Sequence, residues 1–162
     1  MAIEQLVAER LLEIQKKATA NLKDNVLPFW TRATWDHEYG GFLTRLDRCG
    51  NVIDTSEKLF IKQVRMLWSL AAAHRFGITD RGYLKLAHGA FDYIIQTMWD
   101  PKEEGFYFSV TRDGKPLNKR KNTDVHGYGM IGIAEYYIAS QRKEALEWGN
   151  RIFAVLVKKA KD

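Results

Sequence analysis

Four polar residues within residues 58–77, KLFIKQVRMLWSLAAAHRFG, are spaced to act together. Lys58, Lys62, Arg65 and Ser69 follow i, i+4, i+7, i+11 spacing and so share one narrow helical face, while Leu59, Phe60, Val64, Met66, Leu67 and Trp68 cover the rest. A helix that is apolar on nearly every side belongs in an interior. A cationic stripe on it would face a wet cavity, a set of carboxylates or a bound polar ligand. The plainer reading is that the long stems lie along apolar surface and carry their charges into water, as on any amphipathic helix.

The elements that must position this stripe repeat. A helix over 3–22 carries Leu6, Leu11, Leu12, Ile14 and Leu22 at helical spacing, with one side to bury, and Pro28 marks its end or a break. Residues 36–51, DHEYGGFLTRLDRCGN, hold a Gly-Gly pair, the alternation Phe42, Thr44, Leu46 and a closing Cys-Gly, which suggests a short hairpin. The inner helix then begins near Glu57. A second amphipathic helix over 81–98 leads into DPKEEGFYFSVTRDGK, and a constant offset takes Asp36 to Asp100, Gly41 to Gly105, Phe42 to Phe106, Arg48 to Arg112 and Gly50 to Gly114. The unit is helix, short β-like connector, helix, and such repeats stack around a shared core. Carried on without a gap, that register sets Lys58, Lys62, Arg65 and Ser69 opposite Asn122, His126, Gly129 and Ile133 of a second inner helix over 122–140. His126 then shares a face with the stripe. A last helix over 143–159 buries Ala145, Trp148, Ile152, Val155 and Leu156.

Alternating outer and inner helices predict an all-α fold, an α/α toroid of helix hairpins with short β-like connectors. Residues 1–162 read as one incomplete domain of this kind, with repeat units over 3–77 and 81–140 and the helix 143–159. An open edge on such a ring calls for self-association or a complementing chain.

Composition narrows the classes. The chain has 46% hydrophobic and 28% charged residues and a net charge of +5, an ordinary globular balance. Lys115, Lys119, Arg120 and Lys121 form its one basic cluster, read as a solvated loop, so no nucleic acid partner is expected. Acids run through the apolar positions of MAIEQLVAERLLEIQ and no apolar run reaches membrane length, so neither a signal peptide nor a membrane span is expected. With Cys49 as the one cysteine and no cluster at zinc spacing, the expectation is a cytoplasmic protein without a metal.

The residues FWTRATWDHEYGGFLTRLDRCGN at 29–51, KQVRMLWSLAAAHRFG at 62–77, DPKEEGFYFSVTRDGKP at 100–116 and the stretch 121–137 ending AEYY carry a resemblance. In them the chain resembles the N-acylglucosamine 2-epimerase and cellobiose 2-epimerase family, which also includes mannose and sulfoquinovose isomerases. The resemblance implies an α/α barrel, here a partial (α/α)6-type barrel matching the N-terminal part. It also implies proton transfer at the carbon beside a sugar's carbonyl, through an enediolate and without metal or organic cofactor. That chemistry needs a base, an acid and a cationic donor for the developing oxygen anion. The family's substrate-contacting arginine of the first inner helix carries onto Arg65. Its proton-transfer histidines and glutamate lie in the later half of the barrel, so this chain is expected to lack the full catalytic set. Where family members commonly have a tyrosine, this sequence has Asp124, and Tyr128 lies one turn further along the same face.

Arg65 and His126 are therefore the catalytic candidates, His126 because imidazole titrates near neutral pH. Its alternative is a histidine satisfied by hydrogen bonds near a helix start. Arg65, Lys62, Trp68, Asp124 and Tyr128 are the candidates for contacting a small-molecule sugar, Trp68 against the alternative of a core residue. Two further functions stay open. One is a noncatalytic helical-repeat module binding a carbohydrate or a protein. The other is glycoside hydrolysis, which needs two opposed carboxyl groups where Asp124 is the one good inner-helix candidate.

Overall fold

The structure, a computed structural model, describes residues 2–79 and 81–159. They fall into two compact units, Met1–Ala33 and Thr34–Asp162.

In the first unit, α1 (Ala2–Asn21) continues through a π-helical turn, Leu22–Val26, into α2 (Leu27–Thr34). Pro28 does not end the helix. It has no N–H to donate, and the wider turn before it, closed by the Leu27 N–H on the Leu22 carbonyl, lets the helix continue without that bond. The expected buried side of α1 is not found: Leu6, Leu11, Leu12, Ile14 and Leu22 are all exposed. Helical periodicity specifies a stripe but not what covers it.

The second unit is built from two copies of one connector and the helices they join. The first connector forms an antiparallel pair, β1 (Arg45–Leu46) with β2 (Val52–Asp54). Then β3 (Glu57–Leu59) leads directly into the inner helix α3 (Phe60–Arg75). The outer helix α4 (Tyr83–Tyr93) ends in a π-helical turn, Ile94–Met98. The second connector supplies β4 (Ser109–Thr111) and β5 (Pro116–Asn118), followed by the inner helix α5 (Thr123–Ser140) and the outer helix α6 (Lys143–Lys159). β3 pairs with β4, so the sheet order β3-β4-β5 joins one repeat to the next. The class is all-α, helix hairpins with short β connectors, as the sequence implies. The start of the first inner helix differs. Lys58 lies in β3, not on the helix, because its backbone is paired with Val110.

The core lies between the inner helices. Phe60 and Phe106 stack at 4.3 Å, and Leu67, Leu70, Phe91, Ile133, Tyr136 and Ile152 are fully enclosed. α3 and α5 approach closely at Gly132, where a Cβ would lie 2.8 Å from the Val64 carbonyl oxygen. α6 buries Ala145, Ile152 and Val155 as expected, whereas Trp148 and Leu156 are only half-buried.

Candidate functional site

Each connector is tied down by an aspartate. The Asp36 carboxylate accepts from the Glu38 and Tyr39 N–H groups, and the Asp100 carboxylate accepts from those of Lys102 and Glu103. Each then takes a lysine: Lys58 Nζ lies 2.9 Å from Asp36, and Lys121 Nζ 2.8 Å from Asp100. Burial by itself would raise the Asp36 pKa, but the hydrogen bonds from Arg112 and Lys58 outweigh it and hold the carboxyl far below its ordinary range. Lys58 is completely enclosed and also donates to the carbonyls of Gly40 and Arg112. The first cation of the supposed stripe is thus the partner of a carboxylate, and the last residue of the basic cluster, Lys121, is its counterpart rather than part of a solvated loop.

These pairs correct the repeat register. Through the connectors the offset holds: the Trp35–Phe42 bridge matches Trp99–Phe106, and Ser56 N–H on Asp54 matches Arg120 N–H on Asn118. At the inner helices it is one shorter. Lys58 matches Lys121, α3 begins at Phe60 where α5 begins at Thr123, and Glu57 has no counterpart. Gln63 and His126 consequently occupy the same place, accepting the N–H of Phe42 and of Phe106, each at 2.7 Å. Arg65 matches Tyr128, not Gly129.

Arg65 and Tyr128 meet. The guanidinium lies 5.3 Å from the centre of the Tyr128 ring, within cation–π range. Together with Trp68, Ser69, Val64, Ile131 and Gly132 they line an open hollow of about 350 Å³, in the size range of small-ligand pockets. Trp68 and Tyr128 are half-exposed, at 45% and 46%, so neither is a core residue. Ser69 turns its hydroxyl back to the Arg65 carbonyl at 2.9 Å. Among the described residues the Arg65 guanidinium has no carboxylate partner, and Arg65 is an exposed residue at the hollow's wall.

The remaining candidates lie elsewhere. Lys62 is half-buried, and burial, then the charge of Arg65, hold its ammonium below the ordinary lysine value. Asp124 is exposed in the first turn of α5. His126 is 4% exposed and borders a different, smaller hollow with Lys121, Thr123 and Lys159. Its Nδ1 lies 2.7 Å from the Asn122 carbonyl and its Nε2 takes the Phe106 N–H, so both ring nitrogens are engaged by backbone. Sequence reading missed Asp36, Asp100 and Gln63. For the aspartates the signal was present, since an acid repeated beside a Gly-Gly-Phe or Glu-Gly-Phe turn must find a cation if it is buried.

Among the described residues no group of histidine, cysteine and carboxylate side chains is placed to hold a metal, and no helix is long and apolar enough to cross a membrane. Residues 40–162 match the family model described as N-acylglucosamine 2-epimerase (GlcNAc 2-epimerase). The chain is similar to the cellobiose 2-epimerase of Bacteroides fragilis, 30% identical over 141 residues that make up 87% of this chain and 35% of that protein. Among solved structures it is similar to the cellobiose 2-epimerase of Spirochaeta thermophila DSM 6192, with a TM-score of 0.86 and 28% identity over 93% of this chain and 37% of that one. The cellobiose 2-epimerase of Bacillus thermoamylovorans B4167 gives a TM-score of 0.81 and 28% identity over 86% and 36%. The chain spans about a third of the length of the curated relatives it matches.

Proposed function

Because the chain belongs to the N-acylglucosamine 2-epimerase family, we propose that the hollow beside Arg65 takes an aldose, of N-acylglucosamine, cellobiose or mannose type. Arg65 would hold the carbonyl oxygen and the enediolate that forms when the C2 proton leaves. The observation that carries this is the Arg65 guanidinium, without a carboxylate partner among the described residues, seated over the Tyr128 ring at 5.3 Å beside the exposed indole of Trp68. A cation preset at the place where negative charge develops stabilises the transition state more than the ground state. Two aromatic faces at the rim offer apolar contact to a sugar ring.

The described lining of this hollow contains no carboxylate and no imidazole. Within this reading these residues therefore bind and orient, and the groups that move the C2 proton come from outside the hollow. We do not give that role to His126, whose nitrogens are both engaged by backbone. Self-association or a complementing chain would cover the exposed apolar residues Ile131, Ile138 and Phe153. The setting would be cytoplasmic, with free sugars as substrates and no organic cofactor. The same lining favours a second reading, a noncatalytic module that binds a carbohydrate.

Two measurements test this. Titration with cellobiose, mannose and N-acetylglucosamine should give saturable binding that Arg65→Ala weakens roughly 10- to 100-fold. Solvent deuterium exchange at C2 is the second. Exchange by this chain overturns the assignment of binding and orienting alone to these residues and supports the epimerase over the module, whereas binding without exchange is what both readings expect of a chain without the proton-transfer groups. No binding of any of the three sugars would end both.

A further inference from the structure

We propose that His126 is a positioning residue that works as an acid-released latch, fastening the second connector to α5 in the same place where Gln63 fastens the first connector to α3 without regard to pH. The geometry specifies the tautomer. A carbonyl oxygen can only accept, so the contact of Nδ1 with the Asn122 carbonyl at 2.7 Å puts the ring's one hydrogen on Nδ1. Nε2 is then a bare acceptor, and it takes the Phe106 N–H at 2.7 Å. A second proton has only Nε2 to go to, where it would meet the hydrogen of that amide. Protonation and the latch exclude one another.

Little room exists for compromise. The ring lies between Phe60 and Phe106, with centres 6.1 and 5.8 Å away. On the connector side, a Cβ at Gly105 would come within 2.8 Å of Nε2. The charged groups facing it are Lys121 before α5, Asp124 in the first turn of α5, Lys159 from α6 and Glu104 from the connector. Burial lowers the imidazole pKa. The Asn122 carbonyl and Asp124 oppose this, while Lys121 and Lys159 add to it, and the net direction is down from 6.5. A base whose folded pKa is lowered takes up its proton on opening. The latch is therefore intact above about pH 6.5 and weakens progressively below it.

Gln63 is the built-in comparison. Its amide accepts the Phe42 N–H and donates to the Phe42 carbonyl, each at 2.7 Å, and it has no proton to gain in this range. The two connectors of one chain should therefore differ in acid sensitivity. Tyr128 lies two residues beyond His126 in α5, so the latch adjoins the helix turn that carries one wall of the hollow beside Arg65. The test below does not depend on what that hollow binds.

Amide hydrogen exchange of Phe106 and Phe42 decides the matter, after correction for the intrinsic pH dependence of exchange. Between pH 7 and 5 the protection of Phe106 should fall, with a slope that one coupled proton limits to about tenfold per pH unit. Phe42 should hold its protection. His126→Gln should abolish the difference, and Gln63→His, whose Nδ1 can reach the Leu59 carbonyl as His126 reaches that of Asn122, should transfer acid sensitivity to Phe42. Equal pH dependence at Phe106 and Phe42 in the unaltered chain, or an unchanged profile at Phe106 in His126→Gln, overturns the proposal.

Discussion

Arg112 reaches from the second connector to Asp36 of the first, with Nε 2.9 Å from Oδ2 and Nη2 3.1 Å from Oδ1. The same guanidinium meets Glu38 at 3.0 Å, and the Arg112 carbonyl accepts from Lys58. One repeat is thereby locked to the next through a carboxylate held by two cations, while Asp100 of the second repeat is held by Lys121. Stacking of the two connectors is a charge interaction as much as an apolar one.

Removing the charge at Asp36 should accordingly cost more than removing it at Asp100. Asp36→Ala leaves the fully enclosed Lys58 without its anion, a loss of roughly 3–5 kcal/mol for a buried pair broken on one side. Asp100→Ala should cost less, because Lys121 is 23% exposed and water can take over. Urea unfolding midpoints of the two variants give the comparison.

Acid should weaken both locks in a window separate from that of His126. Burial works to raise the Asp100 pKa, but Lys121 and the N–H groups of Glu103 and Lys102 bring it to about 2, from 3.8. A carboxyl with a lowered folded value contributes stability that is complete above its unfolded value and is lost as pH falls through the folded one. Unfolding midpoints should therefore drop between pH 4 and 2, and Asp100→Asn should show a smaller drop over that interval.

Arg65 should be dispensable for folding and needed for the hollow's ligand. It is exposed and has no carboxylate partner among the described residues, so Arg65→Ala should change stability by no more than about 0.5 kcal/mol. Losing a charged hydrogen bond to a bound oxygen should weaken sugar binding roughly 10- to 100-fold. Arg65→Lys should recover part of it, since the charge remains and the planar fork does not. Calorimetric titration beside a melting curve reads both effects.

Trp68→Ala should lower affinity with little change in fold, because the indole is 45% exposed and gives the hollow much of its apolar wall. The expected loss is roughly tenfold, the scale of about 1–2 kcal/mol of apolar contact. Quenching or enhancement of indole fluorescence by added sugar should disappear in the same variant.

Two glycines of α5 should respond with opposite signs. At Gly132 a Cβ would meet the Val64 carbonyl at 2.8 Å and force the inner helices apart, so Gly132→Ala should destabilise by about 1–3 kcal/mol. At Gly127 a Cβ meets nothing, and Gly127→Ala should stabilise by up to about 1 kcal/mol through helix propensity. Thermal melts of the pair check the helix contact directly.

The connectors were legible because their chemistry is local. A Gly-Gly-Phe turn with positive φ at Gly40 and Gly41, and an aspartate capping the N–H groups that follow it, need particular residues at particular places, so the repeat shows as identities in the chain itself. The helices were legible from their periodicity, and so was a hollow at Arg65, since an apolar helix with a cation on it must turn that cation toward something polar. The register between inner helices was not. Glu57 is a single unmatched residue in extended chain, where it disturbs no pattern, yet one residue turns every later helical position by about 100°. Only the tertiary structure could show that Lys58 belongs to Asp36 and Arg65 to Tyr128, or that His126 fastens backbone where Gln63 does. Which of several cations a buried carboxylate takes is decided by distances between segments far apart in sequence, and no local pattern encodes those distances.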